Sequence, residues 1–119
     1  MYRYYNANSK NNFIDDCVIR SISLAEGKTW DETYERLSTL ARKEGLLFSS
    51  VPFVEGYLDS KYKRVCHTGK TVGEFVDEHP DDIYLITMNN HITCSFYGIV
   101  VDTFDCTDRF MKCAWKVSR

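Results

Sequence analysis

Three residues of this chain carry side chains that could act together on an acyl group: Cys17, His91 and Asp102. Cys17 stands where a helix is predicted to begin, His91 opens an apolar segment, and Asp102 lies on the segment that follows a tight turn. A thiol, an imidazole and a carboxylate can serve as nucleophile, general base and orienting group. No other grouping in the chain offers comparable chemistry, so the functional interpretation depends on whether these side chains meet.

The position of Cys17 favours a reactive thiolate. The positive end of a helix dipole stabilises a thiolate, and a neighbouring imidazolium would lower the pKa of the thiol further. Asp15 and Asp16 oppose this effect unless they point away or cap the backbone. Asn11, six residues before Cys17, is the candidate amide donor to an oxyanion, together with the backbone N–H of Cys17 itself.

Each of these residues also has a plain structural interpretation. A single cysteine at a helix start is usually a small buried apolar residue. A histidine that opens a strand is often a surface residue, and Asp102 could simply bond to a neighbouring turn. His67 and His79 are interpreted as structural, and Cys106 is expected in a loop, exposed and without a base beside it.

Helix signals precede strand signals along the chain. Two capping boxes, Thr29 with Glu32 and Thr71 with Glu74, predict helix starts, and Asp16 is a favourable N-cap for the first helix. The first ten residues are expected to form a loop or a short extended arm. The predicted helices run from about Cys17 to Glu26, from Thr29 to Gly45, from Pro52 to about Leu58, and from Thr71 to His79.

The second half of the chain is rich in β-branched and aromatic residues between polar breaks, which is typical of strands. Helices followed by an antiparallel sheet indicate an α+β fold, and residues 1–119 suit a single domain. The predicted strands are Tyr62–Cys66, Ile83–Met88, His91–Phe96, Ile99–Phe104 and Phe110–Val117.

The hairpin formed by the strands His91–Phe96 and Ile99–Phe104 shows whether His91 and Asp102 can meet. A two-residue turn at Tyr97-Gly98 would fix its register, although this dipeptide is a weaker turn signal than Asn-Gly. In that register His91 and Asp102 lie on the same face as diagonal neighbours, within reach of each other. Asp105 falls on the opposite face and is the weaker candidate for the orienting carboxylate, although a bulge would reverse the choice.

Composition excludes several classes of function. The net charge is −2, which argues against a general nucleic-acid binder. No apolar run approaches the length of a membrane span, and the N-terminus lacks the apolar core of a signal peptide, so we expect a cytoplasmic protein without membrane contact. Gly69-Lys70-Thr71 lacks the upstream glycine of a phosphate loop, so no nucleotide is predicted.

The cysteines do not indicate a disulfide framework or a metal centre. Their number is odd and their spacing irregular, so in a reducing cytosol all five are expected to be free thiols. There is no C-x-x-C pair, and Cys66-His67 alone provides too few ligands for structural zinc. The sequence therefore predicts no metal and no organic cofactor.

Most of the chain, from about Asp16 to Val117, resembles small papain-like cysteine peptidases of phage and bacterial type. The group is similar to the bacteriocin-processing peptidases that cleave after a double glycine. The order and spacing of the matching segments carry the resemblance. These segments are Asp16–Ile22, Thr29–Tyr34, Lys70–Phe75 with Glu78–Pro80 after it, His91–Thr93, and Val101–Asp105.

The resemblance implies a minimal papain-like fold and a thiol hydrolase with a protein or peptide substrate. The bond that it cleaves through a thioester intermediate is a peptide, isopeptide or side-chain amide bond, and the sequence does not choose among them. The resemblance assigns Cys17 as nucleophile, His91 as base and Asp102 as orienting group, and it places Asn11 where the related peptidases carry Gln. Two alternatives remain: an inactive binding protein on the same fold, such as a phage-encoded inhibitor of a host factor, and a deamidase or transglutaminase that uses the same triad.

Overall fold

Helices precede the sheet along most of the chain, as the sequence predicts for an α+β fold, and that fold class is confirmed. The computed structural model describes residues 1–119. Its helices are α1 (Cys17–Glu26), α2 (Trp30–Glu44), α3 (Val51–Lys61) and α4 (Val72–Glu78). Its strands are β1 (Tyr2–Tyr4), β2 (Arg64–Cys66), β3 (Ile83–Met88), β4 (His91–Phe96), β5 (Ile99–Asp102) and β6 (Met111–Val117).

Local signals explain where the helices begin and end. Thr29 and Thr71 both accept a hydrogen bond from the backbone of the glutamate three residues later, which completes the two predicted capping boxes. Gly27 and Gly45 end α1 and α2 with positive φ angles of 69° and 71°, a conformation that glycine adopts without strain. The predicted helix bounds are therefore confirmed to within a few residues.

The six strands form one sheet in the order β1-β5-β4-β3-β6-β2. All neighbours are antiparallel except β1, which pairs in parallel with β5. The predicted antiparallel sheet is therefore corrected to a mixed one, and the short extended arm is its edge strand. Tyr2 holds this arm, because its hydroxyl donates to the Asp102 carbonyl at 3.1 Å.

Both faces of the sheet are covered by helices. Alternate residues of β3 point to opposite sides, so Leu85 belongs to one apolar cluster and Ile86 to the other. The larger cluster joins α1, α2 and α3 to the sheet around the fully buried Ile19, Ile22 and Trp115. The smaller cluster places α4 on the opposite face.

Two tight hairpins position the candidate residues. Tyr97 and Gly98 have φ angles of 49° and 86°, and the turn they form sets Phe96 opposite Ile99, as the sequence predicts. The other hairpin turns at Asn89-Asn90 and pairs Met88 with His91. His91 is therefore held at the tip of β4 by a connection of two residues.

The strands β4 and β5 separate at this same end of the sheet. Their pairing covers only Cys94 to Phe96, and β5 ends at Asp102, two residues earlier than predicted. The backbone N–H and C=O groups of Ile92 are consequently not paired with β5. Helix α1 bonds to the C=O group instead, because the Ser21 hydroxyl donates to the Ile92 carbonyl at 2.9 Å.

One pair of cysteines corrects the prediction of five free thiols. Cys66 and Cys113 stand directly opposite each other on β2 and β6, and they are bonded as a disulfide. The two residues are 47 positions apart, so their spacing gave no sign of the cross-strand register. Cys17, Cys94 and Cys106 carry free thiols.

The longest helix of the chain has 15 residues, and no helix combines the length and apolar character that a bilayer crossing requires.

Replacing Ser21 should weaken the attachment of α1 to β4. We expect Ser21→Ala to lower the free energy of unfolding by about 1–2 kcal/mol, because it leaves the buried Ile92 carbonyl without this donor. Ser23→Ala is the matched control, since the Ser23 hydroxyl is equally buried but bonds to the Arg20 carbonyl of its own helix. Urea unfolding of both variants checks this, and equal losses would contradict a docking role for Ser21.

Candidate active site

Cys17 is the first residue of α1 and borders a cavity. This cavity has a volume of about 700 Å³ and lies between the starts of α1 and α3, the β3–β4 turn and the start of β6. The Cys17 side chain is partly buried, and His91 lines the same cavity. A ligand in the cavity can therefore reach both the thiol and the imidazole.

His91 and Asp102 are in direct contact. The His91 Nε2 atom lies 2.7 Å from Asp102 Oδ2, and the two side chains are only 6% and 1% exposed. The ring of Phe104 covers His91 with its centroid 4.7 Å away. The predicted same-face geometry of the hairpin is thus confirmed, and Nδ1 is left as the ring nitrogen that can exchange a proton with a thiol.

Cys17 and His91 line the same cavity, and each influences the ionisation of the other. Burial raises the pKa of Cys17, but hydrogen bonds from His91 and from the Ile92 backbone N–H outweigh it and bring the pKa below its usual value. Burial lowers the pKa of His91, but hydrogen bonds to Asp102, Cys106 and Cys17 raise it well above the usual value. Both shifts favour a thiolate–imidazolium pair.

Asp102 is saturated with hydrogen bonds. Besides His91, its carboxylate accepts the Thr93 hydroxyl at 2.7 Å, the Arg20 guanidinium at 2.8 Å and the backbone N–H of Thr103 at 2.7 Å. Burial raises the pKa of Asp102, but the bonds with His91 and Thr93 and the charge of His91 lower it well below its usual range. The carboxylate is therefore ionised and fixed in orientation at neutral pH.

Arg20 connects Asp102 to Asp16, and this connection corrects the expected role of Asp16. Asp16 occupies the N-cap position, but its side chain makes no capping bond. Its carboxylate instead accepts Arg20 at 2.7 Å, the Trp30 indole N–H at 3.0 Å and the Asn8 amide at 3.2 Å. The charge of Asp16 beside Cys17 is thus balanced by Arg20.

The other two candidates lie outside this arrangement. Asn11 is exposed in the loop before α1, with a φ angle of 57°, and it does not line the cavity. Its role at an oxyanion gains no support from this placement and stays a prediction. Asp105 is exposed, and its carboxylate binds the Thr107 hydroxyl and backbone N–H, so it does not orient His91.

Cys106 is the second cysteine near His91, and the expectation that it is exposed was wrong. It is fully buried, with its sulfur 4.0 Å from Asp102 Oδ2, because the loop after β5 turns inward beneath the carboxylate. Possible ligand atoms of His91, Asp102 and Cys106 lie within 4.8 Å of one another. The Asp102 oxygens already accept four donors, however, and the Arg20 cation disfavours a metal ion beside them.

The sequence contained signals for two of the residues that were missed. Arg20 follows Asp16 by four positions on a helix, a spacing at which opposite charges meet. Thr93 lies beside His91 on the hairpin face that also carries Asp102. No local signal pointed to Cys106 or to the buried Asn8. Both residues lie in loops, and the course of these loops depends on contacts with residues far away in the chain.

Comparisons of the chain with protein-family models, with curated proteins and with solved structures found no match. The papain-like resemblance therefore remains a prediction, and the functional argument depends on the geometry of the site.

Removing the guanidinium of Arg20 should strongly destabilise the fold. We expect Arg20→Gln to lower the free energy of unfolding by about 3–5 kcal/mol, because two buried carboxylates lose their shared cation. Arg3→Gln is the control, since Arg3 is exposed and makes no ion pair, and it should change stability by less than about 0.5 kcal/mol. Equal urea midpoints for the two variants would contradict this account of Arg20.

Proposed function

We propose that Cys17, His91 and Asp102 act as a catalytic triad, and that the protein is a thiol hydrolase of papain-like type acting on an amide bond of a protein or peptide. The observation that carries this proposal is the 2.7 Å contact of His91 Nε2 with a buried carboxylate, at a cavity that a thiol at a helix start also lines. Nucleophile, base and orienting group are then arranged in the required order.

The chemistry follows from this order of contacts. The Cys17 thiolate attacks the carbonyl carbon of the substrate, and a carbon–sulfur bond forms. The imidazolium of His91 donates its Nδ1 proton to the leaving nitrogen as the carbon–nitrogen bond breaks. Water then adds to the thioester carbon as His91 accepts its proton, and the carbon–sulfur bond breaks to release the acid product. Cys17 leaves as the thiolate, which restores the starting ion pair. Asp102 holds the ring in the tautomer that presents Nδ1 to the thiol.

The developing oxyanion needs hydrogen-bond donors near Cys17. The backbone N–H of Cys17 lies at the first position of α1, where a helix leaves its N–H groups without intrahelical acceptors. This group is the donor that the placement of α1 favours. The triad requires no metal and no organic cofactor for the steps described.

The ionisation of Cys17 provides a first test. Its pKa lies below the usual value of 9.0 mainly through the bond with His91, so alkylation by iodoacetamide should reach half its maximal rate below pH 9. Removing the imidazole in His91→Gln leaves burial, which raises the pKa, so the midpoint should move upward. His67→Gln is the control and should not move it. Mass spectrometry of the Cys17 peptide as a function of pH measures the rate.

If His91→Gln leaves the pH midpoint of alkylation unchanged, the imidazole does not activate Cys17, and the basis of the triad is removed.

Hydrolysis itself provides the second test. The wild-type protein should create new termini in a peptide library prepared from a cell lysate, and Cys17→Ala should abolish them. Asp102→Asn should reduce the rate by roughly 10²-fold or more, because His91 loses its orienting carboxylate. Asp105→Asn, which changes the neighbouring exposed carboxylate, should retain the rate within about twofold.

Two results of that assay would redirect the proposal. New termini that persist in Cys17→Ala would exclude the triad as their source. Ammonia released from glutamine-containing proteins without new termini would assign the same three residues to side-chain amides rather than to the peptide backbone.

A further inference from the structure

The cavity beside Cys17 has two walls of different charge. Arg109 and Lys112 line it at the start of β6, both are exposed, and neither takes part in an ion pair. Asp15 and Glu55 line it on the side of the helices, and Glu55 is engaged by Arg64 at 3.5 Å. The wall at β6 therefore presents two cations without a protein counter-ion.

Both cations line the same cavity as Cys17 and His91. The Arg109 guanidinium lies 5.0 Å from the ring centroid of Phe104, whose centroid in turn lies 4.7 Å from that of His91. Lys112 follows Met111, which is paired with Met88 next to the turn that holds His91. These two distances together bound the separation of the Arg109 guanidinium from the His91 ring, and they span roughly three residues of an extended peptide.

The helix wall offers a complementary surface. Ile14 and Val51 line the cavity from the loop before α1 and from the start of α3, and they are 53% and 66% exposed. Large apolar side chains exposed beside a cavity are typical of a binding surface. A substrate that fits both walls carries an apolar group on one side and an anionic group on the other.

We propose that Arg109 and Lys112 form a carboxylate-binding subsite, and that the substrate is a peptide with a carboxylate within about three residues of the bond attacked. The inference rests on the proposed function, because it takes Cys17 as the point of attack. Arginine and lysine bind carboxylates through charge-assisted hydrogen bonds. Two cations on one wall of a cleft also raise the local concentration of anionic ligands. The carboxylate belongs either to an acidic side chain or to the end of a peptide.

The experiment uses three alkylating reagents that differ only in charge and its position. N-bromoacetyl-glutamine amide carries no carboxylate, N-bromoacetyl-glutamate amide carries one on its side chain, and N-bromoacetyl-glutamine carries one at its terminus. All three react with a thiol through the same bromoacetyl group, with bromide leaving as the carbon–sulfur bond forms. The rate at Cys17, measured by mass spectrometry at low salt, is expressed as the ratio of each charged reagent to the neutral one.

In the wild-type protein at least one charged reagent should react faster than the neutral one by roughly three- to tenfold, as two partly exposed charge pairs permit. The double variant Arg109→Gln/Lys112→Gln should bring that ratio down towards one, and 0.5 M salt should do the same in the wild type. The reagent that shows the effect identifies the source of the carboxylate. Lys116→Gln, on the same strand but outside the cavity, should leave the ratio unchanged.

A ratio that is the same in the wild type and in the double variant would overturn the subsite. The failure of the proposed function has a different signature, because it removes the enhanced reactivity of Cys17 towards all three reagents alike. The ratio is independent of that absolute rate, so the two outcomes are distinguished in one data set.

Discussion

The structure depends on one buried cation held between two carboxylates. Arg20 bonds to Asp16 at the start of α1 and to Asp102 at the end of β5, and all three side chains are almost completely removed from water. Each charge would carry a large desolvation cost alone, so the three are stable only together. This arrangement fixes the start of the helix, and with it Cys17, relative to the hairpin that carries His91.

The same arrangement separates two electrostatic effects that would otherwise conflict. A carboxylate beside a cysteine disfavours its thiolate, whereas a carboxylate behind a histidine favours the imidazolium that stabilises a thiolate. Arg20 balances Asp16, which neighbours Cys17, while Asp102 keeps enough negative charge to hold the proton on His91. Burial opposes ionisation of both Cys17 and His91, so the direction of their pKa shifts is decided by specific hydrogen bonds rather than by the cavity as a whole.

Sequence patterns were most informative where the physics is local. Capping boxes at Thr29 and Thr71 and the turn at Tyr97-Gly98 depend on residues within a few positions of each other, and each was found as predicted. The turn sets the register of β4 and β5, and side chains alternate between the two faces of a strand. Together these two facts predict that His91 and Asp102 lie on one face, within reach of each other. The predicted capping role of Asp16 is wrong, because its carboxylate binds Arg20 and Trp30 instead of the backbone of α1.

Taken alone, the sequence determined the α+β class, the approximate bounds of the elements, and the residues that could carry thiol chemistry, because periodicity, capping and turn formation are encoded by near neighbours. Only the tertiary structure decided the parallel pairing of β1, the disulfide of Cys66 with Cys113, and the burial of Cys106 beside Asp102. It also decided that α1 enters the gap where β4 and β5 separate. These features join residues far apart in the chain, and their energies arise from packing and desolvation that no local pattern records.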